Sequence, residues 1–121
     1  MVGVPVAADF DLTTLAAPPV PLGLLQGERD VWLVPKFHSQ PLIAACKTCE
    51  VIASLPTAGH GALLGALPPQ APAWLKRLLA DPPGFNRAFE TAMVFQRTTA
   101  FFQKHLLVDP APRPTAAADT L

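Results

Sequence analysis

The residues in this sequence best suited to proton transfer are Asp30 and His60. Each stands shortly after an apolar run that reads as a buried strand, Val20–Gln26 before Asp30 and Glu50–Leu55 before His60. In an open α/β sheet, ligands bind beyond the carboxyl ends of the strands. A carboxylate that accepts from an imidazole there fixes the ring's tautomer and stabilises its protonated form, as general-base work requires. Gly59 and Gly61 flank His60 and would let the backbone turn tightly around it without Cβ clashes. Read one at a time, the two residues have plainer roles. An aspartate after a strand serves as a turn residue, and a histidine in a glycine-flanked loop stands exposed. Spacing alone leaves both readings open.

Cys46-Lys47-Thr48-Cys49 is the second chemical pattern. A Cys-x-x-Cys is half of a zinc site, for which His38 and His60 would be the remaining ligands. Structural zinc sites usually carry a second paired motif, and this sequence has none. A thioredoxin-like redox pair would open a helix, where the thiol pKa is lowered; this pair closes one. The plainest reading is two small residues at a helix end, free or disulfide-linked according to compartment. His38 reads as exposed and His105 as a helix C-terminal cation. Trp32 and Trp74 read as packing residues, Trp32 with a pocket wall as its alternative. Gly61-Ala62-Leu63-Leu64-Gly65 lacks the Lys-Ser/Thr of a phosphate loop.

The elements that must position these residues are marked off by fifteen prolines, clustered between apolar runs. Proline lacks an amide donor and disfavours helix in the residue before it. Residues 1–19 have no clear period and read as an irregular lead-in. Val20–Gln26 does not alternate, so both its faces should be buried, with Pro21 at its first residues. Phe37–Cys46 reads as a helix with Pro41 in its first turn. Glu50–Leu55 is a second short buried strand, followed by the loop Thr57–Gly61. Ala73–Ala80 is a short helix. Asn86–Leu107 is the longest helix, capped by Asn86, with Phe89, Ala92, Met93, Ala100 and Phe102 to Leu106 as its apolar stripe. Residues 108–121 read as a Pro/Ala-rich tail. The order strand, helix, strand, loop, helix, helix predicts α/β architecture with a parallel sheet. Two strands are few for a sheet covered on both faces, so the pattern suits a larger sheet than these elements build.

Composition narrows the function classes. At 121 residues, one domain with a real core is expected. Charges balance at nine against nine, which leaves no basic field for nucleic acid. No apolar run approaches the roughly 20 residues that span a bilayer, and Met1–Phe10 lacks the features of a signal peptide. The expectation is a soluble, unexported chain.

Val20 to Asp30, an X-Pro apolar run ending in Gly-x-x-Asp, resembles the strand that delivers the triad acid in α/β-hydrolases. Val34-Pro35 resembles the start of the helix after it. Glu50–Leu64 is similar to the family's last strand and its Gly-His loop, and Phe101-Phe102-Gln103-Lys104-His105-Leu106 to the end of its final helix. Trp32–Ser39, the Cys46/Cys49 pair and Asp81-Pro82-Pro83-Gly84-Phe85 resemble the dienelactone-hydrolase-like branch. The resemblance covers residues 20–107. It implies the C-terminal part of an α/β-hydrolase fold (the last two parallel strands and flanking helices) with Asp30 as triad acid and His60 as general base. The implied chemistry is ester or lactone hydrolysis on a small substrate, without metal or organic cofactor.

The family's nucleophile sits in a Gly-x-Ser-x-Gly or Gly-x-Cys-x-Gly elbow. The sequence has two serines, Ser39 and Ser54, and neither they nor the cysteines lie between glycines. The resemblance therefore implies that elbow, oxyanion loop and first strands would precede Met1, as in a truncated or split enzyme inactive alone. The edge at Val20–Gln26 would then pair with an N-terminal half or a second copy. A non-enzymatic remnant or partner-dependent interaction module is the alternative, and a small zinc protein a third.

Overall fold

The computed structural model describes residues 1–7, 11–64 and 67–107. A parallel three-stranded sheet, order β1-β2-β3, carries helices on both faces. Its strands are β1 (Val2–Gly3), β2 (Gly23–Gly27) and β3 (Glu50–Leu55). A 3-10 turn (Leu12–Ala16) follows β1, and α1 (Ser39–Ala45) joins β2 to β3. After β3 come α2 (Ala73–Leu78) and the 20-residue α3 (Arg87–Leu106). The α/β class expected from the alternation of elements is present. The expected Pro/Ala-rich tail lies outside the described residues.

β2 is the central strand, flanked by β1 and β3. This corrects two expectations in part: Val2–Gly3 of the irregular 1–19 segment is a strand, and it covers the Val20–Gln26 edge at Gly23 and Leu24. Val2-Gly3 is too short to show a period, yet it pairs in parallel with Gly23 and Leu24. The Gly23 amide also donates to the Met1 carbonyl at 2.8 Å. Pro21 stands outside the strand, so its missing donor breaks no ladder bond.

Alternation sends neighbouring β2 side chains to opposite faces. Leu25 joins Ile52, Ala53, Leu55, Val94 and Phe101 in the core between sheet and α3. On the other face, Leu15 of the 3-10 turn packs with Leu42 and Cys46 of the α1 end. Each fully buried leucine or phenylalanine contributes roughly 1.5–3 kcal/mol of transfer free energy. β3 carries a bulge at Ile52, where the register jumps from Leu24–Val51 to Leu25–Ala53. A bulged residue leaves ladder groups unpaired, and here the Ile52 carbonyl accepts from Arg97 of α3 at 3.2 Å. A Cβ on Gly23 would overlap the Ile52 side chain, so glycine makes room for the bulge.

Cys46 and Cys49 form a disulfide across the joint between α1 and β3. Closing so short a loop stabilises the fold by about 2 kcal/mol on chain-entropy grounds. Of the two alternatives, free or linked, the structure has the linked form.

α3 starts at Arg87, where the Asn86 side chain accepts from the Phe89 amide at 3.2 Å, as its residue type predicts. At the other end, Glu50 accepts from Lys104 at 2.8 Å and His105 at 2.7 Å, tying the last turn to the start of β3. These two donors, Lys104 first, hold the Glu50 carboxyl below its ordinary value of 4.5. A carboxylate with a lowered folded pKa adds stability above its unfolded pKa, and that stability is lost as pH falls through the folded value. Glu50→Gln should therefore lower the melting temperature slightly at neutral pH. In a pH series of thermal melts, its gap from the parent should begin to narrow near pH 4.5 and close below the folded value.

Candidate active site

Asp30 and His60 meet. The β2 strand ends at Gly27 and the β3 strand at Leu55, and the loops beyond them are stitched by backbone bonds. Glu28 donates to the Leu55 carbonyl at 2.9 Å and Arg29 to the Ala58 carbonyl at 3.0 Å. A Cβ on Gly27 would lie 2.8 Å from the Ala58 oxygen, so this approach requires glycine. The stitching carries Asp30 and His60 to the same sheet edge, with His60 Nδ1 2.9 Å from Asp30 Oδ2.

Asp30 is held firmly. It is 8% exposed, and its Oδ1 accepts from the amides of Trp32 at 2.8 Å and Leu33 at 2.9 Å. Its Oδ2 is left for the imidazole. An acceptor at Nδ1 places the ring proton on that nitrogen and the lone pair on Nε2. Nε2 makes no hydrogen bond among the described residues. The ring is half-buried and lines two cavities. One, about 580 Å³, is walled by Trp32, Pro35, Arg77 and Pro82. The other, about 210 Å³, is walled by Val4, Leu33, Leu63 and Leu64. A third cavity of about 310 Å³, between β1 and α1, is lined by no acidic or basic side chain.

Neither cavity at His60 is lined by a serine, threonine or cysteine. Ser39 donates to Gln26 at 2.7 Å, and Ser54 donates to Glu28 at 2.6 Å. The cysteines are consumed in their disulfide. They lie at the start of β3 and His60 lies beyond its end, roughly 20 Å away for six residues of strand. In disulfide form neither sulfur is a thiolate ligand for zinc, and no group of three metal-ligating side chains forms among the described residues.

Two placements differ from the sequence reading. Trp32 and Trp74 are exposed rather than packed in the core, and Trp32 stands as a wall of the larger cavity. Gly59 and Gly61 do allow a tight turn at His60 without Cβ clashes: the Ala62 amide donates to the Gly59 carbonyl at 3.2 Å, and neither glycine has a positive φ. The clash avoided at Gly61 is with a distant segment, since a Cβ there would lie 2.7 Å from Leu79 Cα and 2.8 Å from its carbonyl carbon. His38 keeps a buried Nδ1 with no hydrogen-bond partner among the described residues.

Sequence reasoning missed Arg87. Its guanidinium makes five hydrogen bonds: two to the Asp81 carboxylate, and one each to the carbonyls of Gly61, Ala62 and Leu64. It thus ties the loop after His60 to the turn before α3. A cation as the first residue of a helix opposes the helix dipole, and that mismatch was the available signal.

No helix among the described residues is long and apolar enough to cross a membrane. Comparison with protein-family models finds none that matches this chain, and comparisons with curated proteins and with solved structures find no significant match.

Proposed function

We propose that Asp30 and His60 are the acid and general base of an acyl-transfer site acting on a small ester or lactone, and that the nucleophile comes from outside the described residues. The single observation that carries this reading is the immobilised Asp30 carboxylate at His60 Nδ1, with Nε2 unbonded among the described residues and the ring lining a cavity. That arrangement suits proton abstraction from a hydroxyl or thiol attacking a carbonyl. The oxygen or sulfur forms the new bond to the acyl carbon, its proton passes to Nε2, and the leaving alcohol takes that proton back. Asp30 keeps the imidazole in the competent tautomer throughout.

The test supplies the missing group from solution. The purified chain is mixed with an activated aryl ester and a small thiol or alcohol, and aryl release is followed against nucleophile concentration. The expected result is a nucleophile-dependent rate that falls at least tenfold in His60→Ala and comparably in Asp30→Asn. That is less than the roughly 100-fold a general base gives in a completed site. Rates identical in the three proteins would refute general-base action by the pair. Saturable turnover without added nucleophile, lost in His60→Ala, would show that the chain holds a nucleophile of its own.

A partner-dependent interaction module is the second reading, and the outer face of α3 favours it.

A further inference from the structure

α3 is amphipathic in an unusual sense. Its basic residues are spent on the domain it packs against: Arg87 on Asp81 and the His60 loop, Arg97 on the Ile52 carbonyl, Lys104 and His105 on Glu50. Val94 and Phe101 fill the core between them. The opposite face is exposed and carries Ala88, Ala92, Phe95, Thr99, Phe102 and Leu106, with no charged residue in the stripe. Phe95 is 64% exposed and Leu106 70%. The expected core stripe of this helix, which included Phe89, Ala92, Phe102 and Leu106, is thus largely on the outside. A helix face open to water normally carries charge.

The spacing of these six residues alternates four and three, the seam of two packed helices. Their sizes select a direction. In an antiparallel pair of identical helices related by a two-fold axis near Arg97, Ala88 faces Leu106 of the second copy, Ala92 faces Phe102, and Thr99 faces Phe95. Every layer sets a small side chain against a large one. A parallel pair would set Phe95 and Phe102 against themselves and leave voids at the alanine layers. Beside Ala88 and Ala92 lies a groove of about 440 Å³, walled also by Leu63, Leu64 and Phe95, where the second copy's Leu106 and Phe102 would seat. Within the stripe the Thr99 hydroxyl already donates to the Phe95 carbonyl at 2.8 Å; beside it, the buried Thr91 hydroxyl at the groove has no hydrogen-bond partner among the described residues.

We infer that the outer face of α3 is the interface of an antiparallel homodimer. The exposed parts of Leu64, Phe89, Phe95, Phe102 and Leu106 supply roughly 600 Å² of apolar surface per copy, at about 200 Å² for a fully exposed aromatic side chain. Flanking Ala, Thr and Gln side chains bring this near the roughly 800 Å² per partner of a stable interface. The seam is isologous, as a two-fold axis demands; it leaves Asp30 and His60 themselves uncovered and meets their site only at Leu63 and Leu64, which also wall the smaller cavity.

The experiment is sedimentation equilibrium on the full chain, with disulfide trapping. The expected result is a dimer whose dissociation constant rises about 30-fold or more in F95E, the loss of a central hot-spot residue. Because Phe95 is exposed in the monomer, F95E should keep its far-ultraviolet circular dichroism and its melt. Under mild oxidation, A92C mixed with F102C should cross-link into a mixed dimer, while A92C alone should not. A monomer at every concentration would overturn the proposal and leave the face to another partner. A dimer indifferent to F95E, or A92C joining itself, would overturn it as well.

Discussion

Arg87→Met should lower the stability of the chain by about 3 kcal/mol, and with it the melting temperature by about 12 °C. The side chain it removes satisfies three carbonyls and a carboxylate, the Gly61 and Ala62 carbonyls in partly buried positions. Hydrogen bonds to a charged donor are worth about 1.5–3 kcal/mol each when protected. The Asp81 pair is about a third exposed on each side and adds little. The bonds share one cation, so their losses do not add in full. Methionine keeps the packing of the stem, which assigns the loss to the guanidinium. R87K should recover less than half of it, because an ammonium cannot fork to Asp81 and the loop together. Thermal melts followed by circular dichroism give the number. The low-field proton resonance of the His60–Asp30 bond gives the location, and it should broaden or vanish in Arg87→Met. A melt within 3 °C of the parent would mean that the loop is held by its backbone alone.

Gly61→Ala should cost about as much for a different reason. The added methyl would meet three backbone atoms of Leu79, none of which can rotate aside. Overpacking of this kind typically costs 1–3 kcal/mol, and backbone neighbours place Gly61 at the upper end. The segment after α2 must move off the His60 loop, so the His60–Asp30 resonance should change together with the melting temperature. Gly3→Ala is the matched control, since nothing lies within 4 Å of a Cβ there. Its melt should stay within about 0.5 kcal/mol of the parent.

These two positions show where the sequence speaks and where it is silent. β3 was legible to the residue, and α3 within one residue at each end, because a short mostly apolar run and an asparagine cap are local signals. The meeting of Asp30 and His60 was one of two readings that strand ends in a parallel sheet left open, since topology carries distant residues to one edge. β1 was not legible. Two residues have no period, and their pairing is set by the partner strand. The need for glycine at 61 was legible but its neighbour was not: the approach of Leu79 comes from an element 18 positions later. The direction in which α3 faces also escaped. Its apolar residues surround more of the helix than one core can cover, and only the bonds of Arg97, Lys104 and His105 tell the inner side from the outer.

That division of α3 into a charged inner side and an uncharged outer side makes ionic strength a two-way lever. Salt screens the exposed Lys104–Glu50 pair, with Lys104 62% exposed, and so loosens the last turn from β3. The partly buried bonds of Arg87 are screened much less. The outer stripe holds no ion pair to screen, and excluded salts such as sulfate strengthen apolar burial. In a sulfate titration, the grip of the helix on its own domain should slacken from its C-terminal end while its adhesion outward grows. One helix thus links the solvent's salt content to the balance between cohesion within a chain and association between chains.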